Sequence, residues 1–201
     1  MSHALSSAGS PAERRRAATR QRIAAVAAHL VGEHGLAGAT VDRIADAADI
    51  SRATFFRYFN SKEDAVAEGV NVDWLNRITN ALVIQPPQLS AIAAVVGAFH
   101  HLAIGFAEIE DQVRELATLT RSSDTLDAWT LHIYVRYEAA IAELVAPRMP
   151  ELTPDDPRPR LIGALAMATV RIALDDWLGH GGSLPDRVSQ GLAAITIAAT
   201  S

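Results

Sequence analysis

The sequence predicts an all-α protein of about nine helices, and three observations lead to this expectation. Apolar residues recur at spacings of three and four along most of the chain, which is the period of an amphipathic helix. Ser, Thr and Pro stand where these runs begin, and Gly or Pro stands where they end. No alternating pattern of a strand appears over a useful length.

The first helix begins at a capping box. In Ser10-Pro11-Ala12-Glu13, the Ser side chain is placed to cap the helix, Pro suits the first turn, and Glu reaches back to the cap. The apolar period then continues to His34, and Gly35 suits a left-handed C-cap. Helix 1 is therefore expected over about 11–34.

The later helices follow from the same signals. N-caps are supplied by Thr40, Ser51, Ser61 and Ser90. Pro86-Pro87 ends the fourth helix, because proline cannot donate a backbone hydrogen bond. Helices 2 to 9 are expected over about 41–48, 52–59, 61–84, 90–106, 110–120, 125–148, 157–178 and 185–200.

Three segments are expected along the chain. Residues 1–10 are small and polar and contain no apolar stretch of signal-peptide length, so they are expected to form a disordered tail. Residues 11–62 are expected to form a small three-helix domain, and 63–201 a larger helical domain. The apolar runs are interrupted by charge before they reach membrane-spanning length, and cysteine is absent. A cytoplasmic protein without membrane contact is therefore expected.

Charge is distributed unevenly along the chain. Residues 1–62 carry nine Arg and Lys against five acidic residues, a net charge of +4, although the whole chain carries −5. The remainder carries nine basic against eighteen acidic residues, a net charge of −9. A basic end on an acidic body is expected when one end meets a polyanion and the other is kept away from it.

Residues 40–62 contain two short capped helices that meet at a tight turn around Asp49, which is the spacing of a helix-turn-helix. Its inner face is expected to consist of Ile44, Ala45, Ile50, Phe55 and Phe59. The residues left facing outward are Arg52, Phe56, Arg57 and Tyr58. Exposed rings are unfavourable on an ordinary surface, but in a DNA major groove they contact thymine methyl groups while arginine reads guanine. Singly, Arg43 and Arg57 also suit a solvated helix face, and Phe56 also suits a core.

Taken together, the segment resembles the DNA-binding domain of the TetR family of repressors. That pattern runs from a threonine through a short helix, a turn and a serine to a recognition helix that ends in aromatic-x-aromatic-Phe before Ser-Lys-Glu. This chain matches it with Thr40, Ala45, Ser51, Thr54-Phe55-Phe56-Arg57-Tyr58-Phe59 and Ser61-Lys62-Glu63, over about residues 15–70. Two positions depart from the pattern: Phe56 stands where Tyr is usual, and Asp49 stands where the turn usually has Gly. Aspartate tolerates left-handed geometry, so the turn is still expected to form.

The resemblance implies a partner and a set of contacts. The partner is a double-stranded DNA operator, which a dimer reads as a near-palindrome. Bases or groove walls are expected to meet Arg43, Arg52, Phe56, Arg57 and Tyr58. Phosphates are expected to meet Thr40, Ser51, Thr54 and Lys62. Lys62 is the only lysine of the chain, in the first turn of helix 4, where backbone N–H groups also favour an anion.

Beyond about residue 75 the resemblance extends to helical architecture and to one subgroup. Asp155-Asp156-Pro157-Arg158-Pro159-Arg160-Leu161 and Leu174-Asp175-Asp176-Trp177-Leu178 are similar to the TetR subgroup with an acyl-CoA-like ligand-binding domain, which includes mycofactocin-type regulators. This similarity implies a small apolar effector and points to a long-chain acyl-CoA.

Helices 8 and 9 are expected to form a homodimer interface, because the family uses these two helices to build a four-helix contact. Their small residues allow close helix approach and are Gly163, Ala164, Ala166, Ala168, Ala173, Ala193, Ala194, Ala198 and Ala199. The alternative is an internal core. Both hold if one face packs inward and another packs across the two-fold axis.

Helices 4 to 7 are expected to enclose the effector. The candidate lining residues are Trp74, Phe99, His100, Phe106, Trp129, His132, Tyr134 and Tyr137. Aromatic residues at helical spacing are more often core than pocket, so about half of this set is expected to line one. His100 and His101 point about 100° apart on a helix, so a hydrogen bond is expected there in place of a metal site.

No enzyme activity, cofactor or metal is expected. The sequence contains no Gly-x-Ser-x-Gly, Gly-rich phosphate loop, His-Glu-x-x-His or Glu-x-x-His. A helical sensor or adaptor that retains the head without binding DNA is the other class considered. The basic N-terminal segment argues against it, and a gel shift with the DNA upstream of the gene discriminates between the two.

Overall fold

The computed structural model describes residues 10–122, 124–149, 152–153 and 155–195, without the side chains of Asp124, Thr125 and Trp129. The expected tail, but for Ser10, and the expected end of the last helix, 196–200, lie outside these ranges. The α-helices are α1 Pro11–Gly38, α2 Val41–Ala47, α3 Arg52–Phe56, α4 Lys62–Val83, α5 Ala91–Ala103, α6 Phe106–Thr120, α7 Asp124–Val145, α8 Arg158–His180 and α9 Leu184–Ala193, with a 3₁₀ turn, Ala146–Arg148, after α7. The all-α prediction is confirmed, since the described residues contain no strand.

The chain divides into two compact units between Val72 and Asp73. The division falls inside α4, whereas the expected domain boundary, residue 62, lies at the start of that helix. The N-terminal unit contains α1, α2, α3 and the first half of α4. The C-terminal unit contains the second half of α4 and the helices that follow.

The N-terminal unit starts with the predicted capping box. Ser10 Oγ accepts a hydrogen bond from the Glu13 amide at 3.2 Å, and Glu13 Oε2 accepts one from the Ser10 amide at 2.5 Å. The regular helix then breaks at Gly35, as predicted. Its φ of 67° is combined with a ψ of 172°, which glycine adopts readily and which differs from the left-handed helical cap that was expected.

Helices α1 and α4 approach very closely within the N-terminal unit. A Cβ at Gly69 would lie 2.0 Å from the carbonyl oxygen of Ala24 and 2.9 Å from Ala28 Cβ, so only glycine fits at this position. Helices α2 and α3 are too short to be stable alone and depend on packing against longer helices.

The C-terminal unit is a helical bundle in which α7 and α8 pack along much of their length and α9 packs on α8 and α5. Its core includes Ile141, Met167 and Trp177, which are almost fully buried. A Cβ at Gly163 would lie 2.3 Å from the carbonyl oxygen of Glu138. Glycine therefore allows α8 to approach the backbone of α7.

The boundary between helices 5 and 6 was predicted wrongly. α5 ends at Ala103 and α6 begins at Phe106, so Phe106 belongs to the second of these helices. Gly105 has a φ of 74° and turns the chain between them, and Ile104 is 78% exposed. Periodicity alone misses this break, because Ile104 and Phe106 both continue the apolar pattern of α5.

Helices 3, 7 and 9 are shorter than predicted. α3 ends at Phe56, because the chain turns at Arg57 and thereby brings Phe59 into the core. α7 gives way to a 3₁₀ turn at Pro147, which cannot donate to the preceding helix. α9 ends at Ala193, since the chain at Ala194 is a turn.

No single described helix is long and apolar enough to cross a membrane. Helices α5 and α6 reach that length and composition only as a pair, and the pair is bent by 96°.

Candidate nucleic-acid interface and ligand site

Two hydroxyl side chains fix the start of the short helices around the turn. Thr40 Oγ1 accepts from the Arg43 amide at 3.3 Å, and Ser51 Oγ accepts from the Thr54 amide at 3.1 Å. Between the helices Asp49 has a φ of 52°, the only positive φ of a non-glycine residue in the described part of the chain. Aspartate thus takes the left-handed geometry that was predicted for this turn. The two caps and the turn at Asp49 together fix the orientation of α3 relative to α2.

Helix α3 has a buried side and an exposed side. Phe55 is fully buried and Phe59 nearly so, with their ring centroids 5.8 Å apart. Phe56, the next residue of the helix, is 48% exposed, and its ring stands perpendicular to that of Phe55 at 5.4 Å. Of the expected inner face, Ile44 and Ala45 are also buried, while Ile50 is half-buried. An apolar ring is therefore presented to solvent beside Arg52 of α3 and Arg57 in the turn that follows it.

The arginines near this ring are held to different degrees. Arg52 Nη1 lies 2.7 Å from Asp42 Oδ1, and its guanidinium carbon lies 5.6 Å from the centre of the Phe56 ring. Arg43 Nη1 donates to the Gly38 carbonyl at 3.2 Å. Arg57 is exposed and has no side-chain partner within the described ranges. Of these three arginines, Arg57 is thus the one most available to an external anion or base.

Tyr58 and Lys62 are less exposed than the other predicted DNA contacts. Tyr58 is half-buried, unlike the outward position expected for it. Lys62 Nζ donates to the Leu36 carbonyl at 2.7 Å, and Glu63 Oε1 lies 4.0 Å from it. One of the three donors of the ammonium group is therefore committed to the last turn of α1, beyond its break at Gly35.

Sequence reasoning missed Arg20, which connects three helices of the N-terminal unit. Its guanidinium bonds both carboxylate oxygens of Glu68 at 2.5–2.9 Å, donates to the Tyr58 carbonyl, and lies 4.2 Å from the centre of the Phe59 ring. A weak signal was present, because Arg20 lies one turn before Ile23 on the buried stripe of α1. We regard Arg20 as a positioning residue for the end of α3.

In the C-terminal unit, the predicted effector residues divide by burial. Those packed against the core are Trp74, Phe99, Phe106, Tyr134 and Tyr137. His100 and His132 are exposed, and the Trp129 side chain lies outside the description. His100 Nε2 lies 2.9 Å from Ser189 Oγ, a hydrogen bond that joins α5 to α9. The structure therefore brings the aromatic residues together without the two histidines.

Two tyrosines of this group are neighbours. The ring centroids of Tyr134 and Tyr137 are 6.2 Å apart. Burial raises the pKa of both phenols, and for Tyr134 the nearby Arg121 guanidinium opposes part of that rise. Both side chains are therefore neutral near pH 7 and keep their O–H donors.

Trp177 of α8 lies in the same core and was not among the predicted lining residues. It is fully buried, the Arg114 guanidinium carbon lies 3.9 Å from the centre of its ring, and the Phe106 ring centroid lies 6.1 Å away. Its indole Nε1 is the only buried side-chain nitrogen or oxygen in the described residues without a hydrogen-bond partner. Sequence reasoning used the segment around Trp177 for a resemblance, but had no signal for this orphan donor.

Family comparison agrees with both parts of this geometry. Residues 23–68 match the family described as "Bacterial regulatory proteins, tetR family", and residues 89–199, more than half of the chain, match the "MftR C-terminal domain". The chain belongs to the TetR family of bacterial transcriptional regulators. Proteins of the TetR family are DNA-binding regulators and not enzymes, as the absence of catalytic motifs predicted.

Two curated TetR-family relatives cover most of the chain. The "HTH-type transcriptional regulator TcmR" of Streptomyces glaucescens is 29% identical over 79% of this chain and 73% of its own length. The "Putative mycofactocin biosynthesis transcriptional regulator MftR" of Mycobacterium tuberculosis is 29% identical over 82% of each. The mycofactocin-type subgroup suggested by the C-terminal segments is thereby confirmed.

Solved structures show the same fold at low identity. Thermus thermophilus FadR, a TetR-family repressor in complex with lauroyl-CoA, superposes with a TM-score of 0.64 at 19% identity, over 90% of this chain and 98% of that one. The SmeT–triclosan complex superposes with a TM-score of 0.53 at 18% identity, over 88% and 91%. The TetR fold therefore extends over nearly the whole chain.

Proposed function

We propose that this TetR-family regulator is a cytoplasmic repressor that binds a near-palindromic operator as a homodimer and is released by a long-chain acyl-CoA. The observation that carries the DNA-binding part is the surface of α3. Arg52 and Phe56 of α3 face solvent together with Arg57 just after it, and the opposite side of the helix is anchored by the buried Phe55. Such a helix can enter a major groove without exposing the core behind it.

The proposed contacts fall into two classes. Arg43, Arg52, Phe56, Arg57 and Tyr58 meet bases or groove walls, and Thr40, Ser51, Thr54 and Lys62 meet phosphates. As a capping acceptor, the Thr40 hydroxyl keeps its own proton for a phosphate oxygen. The Ser51 and Thr54 hydroxyls lie 2.9 Å apart and share one hydrogen bond, so one of their two protons stays available to a phosphate. Arg52 has to exchange its exposed bond to Asp42 for one to DNA, which a surface ion pair allows at small cost.

The proposed dimer interface lies on α8 and α9. Leu161, Leu165 and Ile172 of α8 are 40–52% exposed, and their spacings of four and seven residues put them on one stripe with the half-buried Ala168. Gly163, Ala166 and Ala173 are buried on other sides of the helix, where they serve the internal core. An exposed apolar stripe of this length supports a symmetric contact with a second copy. Ala198 and Ala199 lie outside the described residues.

The proposed effector is apolar over much of its length. The buried and half-buried aromatic side chains of the C-terminal unit supply an apolar lining, while its arginines supply partners for phosphate. The candidates for phosphate contact are Arg77, Arg114, Arg121 and Arg136. The lauroyl-CoA of Thermus thermophilus FadR supports an acyl-CoA for a chain of the same fold.

Release of the DNA requires that the effector binds one conformation of the regulator more tightly than another. A ligand with equal affinity for both conformations does not shift the equilibrium between them. We propose that the acyl-CoA stabilises a dimer whose two DNA-binding units are wrongly spaced for the operator. Helix α4 is the proposed lever, since its residues belong to both units.

The test is a titration of the complex between the protein and DNA from upstream of its gene, followed by fluorescence anisotropy. Acyl-CoAs of graded chain length are expected to release the DNA, whereas free CoA is not. Arg57→Ala is expected to weaken binding to this DNA. Arg160→Ala, an exposed arginine of the C-terminal unit outside the proposed effector contacts, serves as the matched control and is expected to leave DNA affinity unchanged. Lack of release by every acyl-CoA would contradict the proposed effector, and lack of binding to the DNA would contradict the operator.

A further inference from the structure

We infer that Trp177 donates its indole N–H to an acceptor oxygen of the effector, so that the C-terminal unit recognises an acyl group and not merely an apolar chain. This inference rests on the proposed function, in which an acyl-CoA occupies that unit. To the proposed function it adds one specificity-determining residue, Trp177, and the ligand atom that this residue recognises, an acceptor oxygen.

The first observation is the state of the indole nitrogen. Trp177 has no exposed surface, and its Nε1 has no hydrogen-bond partner within the described structure. About nine-tenths or more of buried polar groups in proteins are hydrogen-bonded, because a donor that loses water without gaining a partner is unfavourable. Tryptophan is a donor only, so its partner has to be an acceptor.

Neither of the two side chains that contact the indole ring can be that acceptor. The Arg114 guanidinium, whose carbon lies 3.9 Å from the centre of the indole ring, carries only donors. With an acyl carbonyl at this ring, the pantetheine arm separates the CoA phosphates from Arg114, so the phosphate contacts fall to the other three candidate arginines. The Phe106 ring centroid lies 6.1 Å from that of Trp177, and the Phe106 side chain carries neither donor nor acceptor. The N–H bond lies in the plane of the indole, so an acceptor has to reach the ring edge while Arg114 covers its face.

Charge indicates the kind of acceptor. The Arg114 guanidinium bonds Glu110 through Nη2 alone, which lies 3.2 Å from Glu110 Oε1, and its plane lies over the indole. A nearby positive charge strengthens bonding to an oxygen of high partial negative charge. A carbonyl or carboxylate oxygen meets this requirement, whereas a thioether does not. An acyl thioester offers a carbonyl next to a long apolar chain, and therefore fits both the indole edge and the surrounding apolar core.

A matched pair of ligands isolates this hydrogen bond. Dodecanoyl-CoA carries a thioester carbonyl, and S-dodecyl-CoA has the same chain length with a thioether. Binding to the full-length protein is measured by calorimetry, and release of operator DNA by anisotropy. We expect the wild type to bind the acyl form about tenfold more tightly, because the alkyl form leaves the indole donor unpaired.

Two variants separate hydrogen bonding from packing. Trp177→Phe keeps an aromatic ring and removes the donor, so the two ligands are expected to bind with nearly equal affinity. Phe106→Leu disturbs the packing against Trp177 and keeps the donor, so it is expected to weaken both ligands and to preserve their ratio.

A spectroscopic measurement on the wild type does not depend on the folding of the Trp177→Phe variant. The chain has three tryptophans, and hence at most three indole N–H signals in a ¹⁵N–¹H spectrum. The signal of Trp177, assigned as the one that remains when Trp74 and Trp129 are each replaced by Phe, is expected to move downfield with dodecanoyl-CoA and not with S-dodecyl-CoA.

The outcomes distinguish this inference from the proposed function. Equal binding of both ligands by the wild type, with release of DNA by both, overturns the role of Trp177 and leaves an acyl-chain effector standing. A persistent preference for the acyl form in a folded Trp177→Phe overturns it as well. Failure of both ligands to bind and to release DNA overturns the proposed effector, and the inference with it.

Discussion

At the scale of single residues, the cations of the DNA-binding unit are held to different degrees. Arg57 has no side-chain partner within the described ranges, Arg52 is paired with Asp42 on the surface, and Lys62 is bound to the Leu36 carbonyl. A free side chain loses hydration and conformational entropy on binding DNA, whereas a bound one also loses its existing partner. The three residues are therefore expected to contribute to DNA affinity in different ways.

Arg57→Ala is expected to relax base preference at particular operator positions. A bidentate contact between arginine and guanine discriminates against the wrong base by about 1–3 kcal/mol. Anisotropy with the operator and with a set of single-base variants measures this effect. A uniform loss of affinity over all variants would instead assign Arg57 to the phosphate backbone.

Lys62→Met is expected to change both stability and salt dependence. Loss of the bond to the Leu36 carbonyl should lower the free energy of unfolding by about 1–2 kcal/mol, because the ammonium group donates a charged hydrogen bond. If Lys62 also contacts phosphate, the slope of log affinity against log salt should fall by about one.

Urea unfolding and a salt series of DNA-binding measurements separate these two effects. A variant that is less stable but keeps the salt slope would leave Lys62 with a structural role only. Arg160→Met, at an exposed position of the C-terminal unit, is the control for the salt series.

At the scale of helices, the contact between α1 and α4 sets the geometry of the N-terminal unit. Gly69 brings the two backbones together, and Arg20 bonds Glu68 on α4 and the Tyr58 carbonyl just after α3. The short α3 thus receives its position from two longer helices. This dependence follows from its five residues, which are too few to form a stable helix alone.

Gly69→Ala is expected to destabilise the N-terminal unit by about 2–4 kcal/mol. The added methyl group would overlap the Ala24 carbonyl, and the backbone of α1 cannot rotate away as a side chain can. Gly179→Ala in α8 is the matched control, because a Cβ there meets nothing within 4 Å, and its helix should be unchanged or up to about 1 kcal/mol more stable. Thermal and urea unfolding measure both variants. Equal stability of the two would contradict the close approach at Gly69.

At the scale of the whole molecule, the chain combines a basic N-terminal segment with an acidic remainder and an exposed apolar stripe on α8. The charge distribution favours DNA at one end only. The stripe favours association with a second copy, which gives two recognition helices related by a two-fold axis. The proposed repressor therefore depends on oligomeric state as much as on the residues of α3.

Ile172→Glu and Ala168→Glu are expected to convert the dimer to a monomer and to reduce operator affinity strongly. A carboxylate in a close helix contact would be desolvated without a partner. Ile104→Glu is the control, because Ile104 is exposed in the turn between α5 and α6, outside the stripe. Light scattering gives the oligomeric state, and circular dichroism verifies the fold. A folded monomer that still binds the operator tightly would contradict the proposal that the operator is bound by a dimer.

The sequence by itself determined the elements that depend on local chemistry. The Ser10–Glu13 capping box, the Thr40 and Ser51 caps and the positive φ of Asp49 were all predictable, because each rests on side chains within a few residues of the backbone they serve. The inner residues Phe55 and Phe59 followed from helical period and turn spacing. The family followed from the same segment.

Tertiary structure decided whatever depends on residues far apart in the chain. Three contacts join positions far apart in the chain, and no local pattern predicts their pairing: Arg20 with Glu68, Gly69 with Ala24, and Lys62 with the Leu36 carbonyl. The same holds for Trp177, whose unpaired donor is defined by what the other helices place around it. Helical period predicts that a side chain faces inward, but the atoms it meets there are set by the packing of other helices.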